Sequence, residues 1–331
     1  MRPTNVTTRE QAPVISATSR VDRVADRALR DTQRKARTAG RRRPSRPDVD
    51  AYKARIAALT EAHKIEFERV DWDEIVECGP VAPDISRDSE SAAAKRALME
   101  YRPSIMDNLL GREKERRREL MLKVGEAAKA DTELYAYAKQ VAERHNKLLA
   151  LAPDVRALKL PAIANALKAN GIVQALENAV EGLSLIAPGP GRIVAILDLP
   201  EFDVLPDEKC SIGAAGPSYG EISMADRCQM QLTCAASLVL RIAAEVLQIA
   251  PIDTVEVVAR LCRHDDHEGD DLETVVHVNV SLAAFKKLQL MDVDPGPTLT
   301  GLGARLDWSD ARGLVPIEGE FDTRKSARVA A

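Results

Sequence analysis

Aromatic side chains are scarce in this chain of 331 residues, where Phe, Trp and Tyr together make up only 3%. Hydrophobic residues nevertheless amount to 45%, which is enough for a sizeable core. That core must therefore be built mainly from Ala, Leu, Val and Ile. At roughly 100–200 residues per domain, the length predicts about two folded units.

The sequence also lacks the marks of a secreted or membrane-spanning protein. Its five scattered cysteines are an odd number, which does not suit a disulfide framework. The first residues contain no apolar stretch of the kind found in signal peptides. The longest apolar stretch, Leu232 to Ala250, is interrupted by charged and polar residues, whereas a membrane-spanning helix needs about 20 mostly apolar residues. We therefore expect a cytoplasmic protein with reduced thiols and no membrane contact.

Acidic residues are sparse near the N-terminus, although the whole chain has a net charge of −4. Residues 1–50 contain 13 Lys and Arg against 6 Asp and Glu. Their prolines and few large apolar groups predict a disordered basic arm over residues 1–48. A run of basic residues without an intervening acid could neutralise the phosphates of a polyanion such as nucleic acid: Arg34, Lys35, Arg37, Arg41, Arg42, Arg43 and Arg46. No aromatic residue interleaves the run, so base stacking is not expected.

Residues 49–184 are predicted to form a helical region. Helices are expected over Val49–Glu68, Ser91–Tyr101 and Pro161–Ala169, and a long one over Ile105–Leu151 that ends at Pro153. In the long helix, residues at alternating spacings of four and three form a heptad-like pattern, which includes Leu120, Asp131, Leu134, Val141 and His145. This coiled-coil-like pattern predicts a long helix that packs against a partner helix, although the small alanines in the pattern bury too little area for a strong stand-alone coiled coil.

Residues 185–317 are predicted to form an α+β domain, followed by a flexible tail over residues 318–331. The apolar run Ile193–Leu199 indicates a buried strand, and Thr254–Cys262 and Thr274–Ser281 alternate as an antiparallel pair does. Between them, a Ser223-x-x-Asp226 cap precedes a helix over Met224–Ile249 that is apolar on most faces. The predicted fold class is therefore α+β, with a long helical hairpin or antenna before a small sheet packed on one buried helix.

Catalytic and cofactor motifs are missing. Neither Gly-rich segment fits a nucleotide-binding pattern, so no cofactor is expected, and no catalytic motif is recognised. His264, Asp266 and His267 are the best candidates for metal ligands, although a hairpin tip rarely converges three ligands. A nuclease needs a lysine two residues after its strand carboxylate, whereas Val258 lies two residues after Glu256. His277 is interpreted as a half-exposed strand residue, because it has no evident orienting partner.

Several segments carry a family resemblance: Val70–Ile75, Ala97–Ile105, Pro251–Val258 and Val276–Val280, with Phe285 and Asp294–Pro295 after them. Over about residues 55–317 the chain resembles the C-terminal region of a group of uncharacterised bacterial proteins. Those proteins often carry a small β-rich N-terminal domain of unknown function, and here the basic arm stands in its place. The resemblance implies a bacterial protein but transfers no catalytic residue.

Together these features favour a non-enzymatic interaction or scaffold protein. Its long helix would associate with a protein partner or with a second copy, and its basic arm would bind a polyanion. The alternative is a divergent metal-dependent hydrolase or nuclease in bacterial defence or DNA processing, a setting that only the resemblance suggests.

Overall fold

The computed structural model describes residues 11–16, 20–39, 44–103, 112–176, 179–214, 216–263 and 271–319. Of the residues that the structure describes, 53% are helix and 22% strand, so the predicted α+β class is confirmed. It divides into two compact units. Unit 1 comprises residues 1–70 and 153–331, and unit 2 comprises residues 71–152.

Unit 1 is built on a mixed seven-stranded sheet with the strand order β1-β2-β3-β6-β7-β8-β9. Only β3 and β6 run parallel, with Ile196 opposite Val258, and the other neighbouring pairs are antiparallel. The strands are β1 (Gln11–Ile15), β2 (Gly182–Gly189), β3 (Arg192–Asp198), β6 (Thr254–Arg263), β7 (Asp271–Ser281), β8 (Arg305–Ser309) and β9 (Gly313–Val315). A separate hairpin consists of β4 (Glu208–Gly213) and β5 (Gly216–Glu221).

The long helix α8 (Met224–Ile249) is the central buried element of unit 1. Its N-terminus carries the predicted cap, because the Ser223 hydroxyl accepts the Asp226 amide at 3.1 Å. Leu238, Val239 and Ile242 are fully buried. The helix packs on β3 and β6. It also contacts β9 and two helices, α2 (Arg46–Thr60) and α10 (Pro295–Gly301). By length and composition α8 could cross a membrane, but 83% of its most apolar window is buried inside the protein, as in a core helix.

The remaining helices of unit 1 are mostly short. They are α1 (Arg20–Ala39), α2 (Arg46–Thr60), α6 (Leu160–Ala169), α7 (Ile172–Leu176), α9 (Leu282–Phe285) and α10 (Pro295–Gly301). Helix α6 packs against β1 and β2 and contacts α8. Because Ile163 and Leu167 are fully buried, α6 and α8 together extend one apolar layer over four strands.

Unit 2 contains α3 (Trp72–Cys78), α4 (Ser89–Glu100) and nearly all of α5 (Glu113–Arg156). The predicted helix around Ser91–Tyr101 is confirmed by α4. Pro153 was predicted to end the long helix, but α5 continues to Arg156 and contains this proline within its last turns. A proline there removes one backbone donor, and the helix ends only a few residues later.

Two predictions for the N-terminal half of the chain are wrong where the structure describes it. Within the predicted disordered arm, residues 11–15 form β1 and residues 20–39 form α1. The boundaries at residues 49 and 185 also differ from the observed units, because α1, α2, α6 and α7 belong to unit 1 with the sheet. The reason is long-range pairing: Gln11 to Ile15 lie beside Leu183 to Ile186 of β2, on which the local composition has no bearing.

Candidate interaction surfaces

One side of α1 carries arginines at spacings of four, three and four residues: Arg23, Arg27, Arg30 and Arg34. We call these residues the arginine face. Residues three or four apart lie on the same side of a helix. Opposite them, the chain leaving β3 carries Asp198, Glu201, Asp203 and Asp207, which we call the acidic segment.

Ion pairs join the arginine face to the acidic segment. Arg27 donates from Nη2 to Glu201 Oε1 at 2.8 Å and from Nε to Oε2 at 3.3 Å. Arg30 bridges Glu201 at 3.1 Å and Asp203 at 3.2 Å, and Arg34 Nε lies 2.9 Å from Asp207 Oδ2. Glu201 is only 4% exposed, whereas the side chains of Arg27 and Arg30 are 29% and 26% exposed, so these pairs are partly buried.

Burial and neighbouring charges act in opposite directions on these carboxyls. Burial raises the pKa of Asp198, while Arg260, which donates to it from Nε at 2.8 Å, and the nearby Arg23 oppose the rise. Burial likewise raises the pKa of Asp203 against the guanidinium of Arg30. The hydrogen bond to Glu201 raises the pKa of Arg27. The arginine face therefore neutralises carboxylates that would be costly to bury alone.

A cleft of about 810 Å³ adjoins this region and is lined by α1, α2, the acidic segment, the β4–β5 hairpin and the start of α8. Its arginines are already engaged: Arg55 donates to the Val204 carbonyl at 2.6 Å, and Arg227 lies 4.5 Å from the centre of the Phe202 ring. Burial raises the pKa of the Cys210 thiol and of Tyr52. A neutral thiol is a poor nucleophile, so Cys210 is not activated in this cleft.

The predicted polyanion-binding residues lie in three settings. Arg34 and Lys35 are exposed on α1, and Arg46 is exposed at the start of α2. The side chain of Arg37 and residues Arg41, Arg42 and Arg43 lie outside the described part of the structure. Arg34 is also engaged with Asp207 and, at 3.8 Å, with Asp31.

The predicted metal ligands His264, Asp266 and His267 also fall outside the described residues. Among the residues that are described, no group of three His, Cys, Asp or Glu side chains is arranged to hold a metal ion. The alternative of a metal-dependent hydrolase thus stays a prediction.

His277 has the orienting partner that the sequence did not reveal. Its Nε2 lies 2.9 Å from Glu256 Oε1, and Arg192 donates to Glu256 Oε2 at 2.8 Å. The three side chains link β7, β6 and β3. Glu256 is opposite Asn279, so His277 is its diagonal neighbour on the same face of the sheet. The sequence signal for this contact is the alternation of the two strands, once they are paired in this register.

His63, also in unit 1, is held by hydrogen bonds at both ring nitrogens. Its Nε2 lies 3.2 Å from the Val293 carbonyl, which can only accept, so we assign the proton to Nε2. Nδ1 then accepts the hydroxyl of the fully buried Ser237 at 2.9 Å. Burial lowers the pKa of His63. The pair joins the segment after α2 to α8, which is a structural role.

In unit 2, the contacts of α5 are mainly polar and directed at backbone. Asp131 accepts the amides of Ser91 at 2.8 Å and Glu90 at 3.0 Å, so it caps α4 from another helix. These bonds lower the pKa of Asp131. His145 contacts the Gly79 carbonyl at 2.9 Å, and Asn146 bonds both backbone groups of Val81. Asp131 and His145, both members of the heptad-like pattern, thus bond the backbone of α4 and of a loop.

The large apolar side chains of unit 2 are mostly exposed. Among the described residues, 13 large hydrophobic side chains are exposed, and eight of them belong to unit 2: Val76, Ile85, Met99, Met121, Leu122, Leu134, Tyr137 and Val141. In contrast, the buried hydrophobic residues among the described part of unit 2 are Trp72, Ala142, Leu148 and Ala152.

Comparison of the chain with protein-family models, curated proteins and solved structures found no match.

Proposed function

We propose that this chain is a non-enzymatic interaction protein in which unit 2 supplies the surface that docks another protein. The observation that carries the proposal is the exposure of eight large apolar side chains in a unit whose described residues include four buried hydrophobic ones. A group of exposed apolar side chains on one side of a helix is commonly an interaction site. In this proposal, unit 1, with its buried α8, is the stable body from which the docking surface is presented.

Five of these eight exposed apolar side chains belong to α5. Leu134 is 46% exposed, Tyr137 68% and Val141 48%. Their spacings of three and four residues place them on one side of the helix. Tyrosine at the centre of such a surface favours protein recognition, because its ring buries a large area with few rotatable bonds.

Site-specific photo-cross-linking tests the proposal. A photoreactive phenylalanine analogue would replace Tyr137 in the full chain expressed in bacteria. The control would replace Lys139, which is exposed but on the opposite side of α5, since residues two apart do not share a face. We expect a protein adduct at position 137 and none at 139. If neither position, or both equally, gave adducts, unit 2 would not be the docking surface.

The second element of the proposal is polyanion binding by the basic residues around the arginine face. Support comes from the exposed positions of Lys35 and Arg46. A polyanion that engaged Arg34 would have to compete with Asp207, which is 2.9 Å away. Because phosphate contacts release counterions, such binding would weaken steeply as salt rises.

Fluorescence anisotropy with a labelled single-stranded oligonucleotide tests this second element. The variant Lys35→Ser/Arg46→Ser would be compared with Lys123→Ser/Lys129→Ser, which removes the same number of charges from α5. We expect only the first variant to lose affinity and to show a shallower salt dependence. Equal losses in the two variants would indicate nonspecific attraction instead.

A further inference from the structure

The exposed apolar residues on this side of α5 belong to a longer stripe along the helix. From Ala130 it steps by four, three, four and three residues through Leu134, Tyr137 and Val141 to Arg144, and Glu126 lies one turn before it. We call these six residues the α5 seam. Alternating steps of three and four are the period of a coiled-coil interface. Ala130 is half-buried, and the other five residues are exposed.

The order of residue types along the seam makes it complementary to itself. With a two-fold axis between residues 135 and 136, an antiparallel copy places Leu134 against Tyr137 and small Ala130 against branched Val141. The same axis brings Glu126 near Arg144, and two-fold symmetry forms each of these contacts twice. In a parallel pair, by contrast, each residue would meet itself, so Glu126 would face Glu126 and Arg144 would face Arg144.

We propose that the occupant of the α5 seam is a second copy of this chain, paired antiparallel through α5. This inference rests on the proposed function, because it names the partner that the docking surface of unit 2 takes. Matched charges set the direction of the pair, since like charges at the same positions would oppose the parallel alternative. The seam is short, so the dimer is weak and dissociates at roughly micromolar concentration.

Charge exchange tests both the partner and its direction. The variants Glu126→Arg and Arg144→Glu would each be examined by sedimentation equilibrium as full chains. Each single variant places two like-charged contacts in its own dimer, and we expect its dissociation constant to rise about tenfold. The double variant restores opposite charges and should return to the wild-type value. A mixture of the two single variants should also form a heterodimer as tight as the wild type.

The loss in the single variants and its recovery in the double variant are the decisive arms, because a parallel wild-type pair would already have like charges at both positions and neither substitution would weaken it. If the single variants dimerise as tightly as the wild type, or if the mixture does not recover, the antiparallel seam is wrong. Circular dichroism of each variant would exclude loss of the helix as the cause.

The result can be separated from a failure of the proposed function. A wild-type chain that stays monomeric at about 100 µM, well above the expected constant, would overturn the homodimer. An adduct at position 137 with a mass other than two chains would then leave unit 2 as a docking surface for a different protein. Absence of any adduct at position 137 would overturn both proposals together.

Discussion

The contacts inside unit 1 differ in kind from the contacts inside unit 2. In unit 1, Leu238, Ile242 and Val257 belong to a large set of side chains without accessible surface. Among the described residues of unit 2, four hydrophobic residues are buried, and Asp131, His145 and Asn146 instead bond backbone groups of α4 and the loops. The net contribution of one hydrogen bond to the free energy of unfolding is about 1 kcal/mol, which is less than the contribution of burying a leucine side chain. Unit 2 is therefore the less stable of the two.

This difference separates the roles of the units. A unit with little buried apolar surface opens locally at a low free-energy cost, and such regions supply many binding surfaces. Docking a partner on the exposed apolar residues of unit 2 would add the burial that it lacks. Because binding to the folded state stabilises it, we expect a partner to stabilise unit 2 more than unit 1.

The largest effect should come from truncating a core leucine of unit 1. Leu238→Ala in α8 removes a fully buried side chain and should lower the free energy of unfolding by about 2–5 kcal/mol. The matched change Leu134→Ala in α5 affects a side chain that is 46% exposed and should cost less than about 1 kcal/mol. Urea denaturation followed by circular dichroism measures both. Equal costs for the two leucines would remove the contrast between the units.

The next largest effect should come from the buried carboxylate that holds α1. Glu201→Gln leaves Arg27 and Arg30 facing a neutral amide and should weaken the attachment of α1 by about 1–2 kcal/mol, allowing for the partial exposure of both arginines. Hydrogen exchange of the α1 amides would report it as faster exchange. Asp31→Asn is the control, because Asp31 is exposed and lies 3.8 Å from Arg34. Unchanged exchange in Glu201→Gln would mean that the ion pairs do not hold the helix.

How much of this architecture the sequence predicts depends on how local the stabilising contacts are. The sequence correctly predicts the bounds of α8, its Ser223 cap and the β6–β7 pair. Apolar periodicity and capping depend on residues that are close together in the sequence. The first 48 residues were interpreted as a disordered arm, since their composition is polar and basic. The partners of Arg27 and Arg30 lie more than 170 residues away in the acidic segment. No pattern in the sequence around α1 indicates these partners.

The same limit applies to the candidate surfaces. Asp131 belongs to the predicted heptad-like pattern, but its carboxylate caps α4. Leu134 and Val141 belong to the same pattern, whereas their exposure depends on which side of α5 packs inside unit 2, and the pattern does not indicate that side. His277 lacked an evident partner until the β6–β7 register placed Glu256 beside it.

A smaller, pH-dependent effect is expected in unit 1 from His63. Burial lowers its pKa in the folded state, so the unfolded chain takes up a proton first as pH falls below about 6.5. The stability contributed by neutral His63 is complete above that pH and decreases below it, until the folded state is also protonated. His63→Gln should flatten this slope in urea denaturation between pH 7 and 5. A slope identical to that of the wild type would show that His63 does not contribute.

The smallest effect should be confined to unit 2 and to the cap that Asp131 provides. Amides of Ser91 and Glu90 lower its pKa in the folded state, so the unfolded chain again binds the proton first, below about pH 3.9. The stabilisation is present above that pH and is lost as pH falls through the folded-state pKa. Asp131→Ala should therefore speed hydrogen exchange in α4 at pH 7, and the difference from the wild type should shrink in acid. Glu133→Gln, an exposed change two residues along α5, is the control at both pH values. If Asp131→Ala differed from the wild type equally at pH 7 and in strong acid, the ionised carboxylate would not be the cap, and the polar attachment of α4 to α5 would need another source.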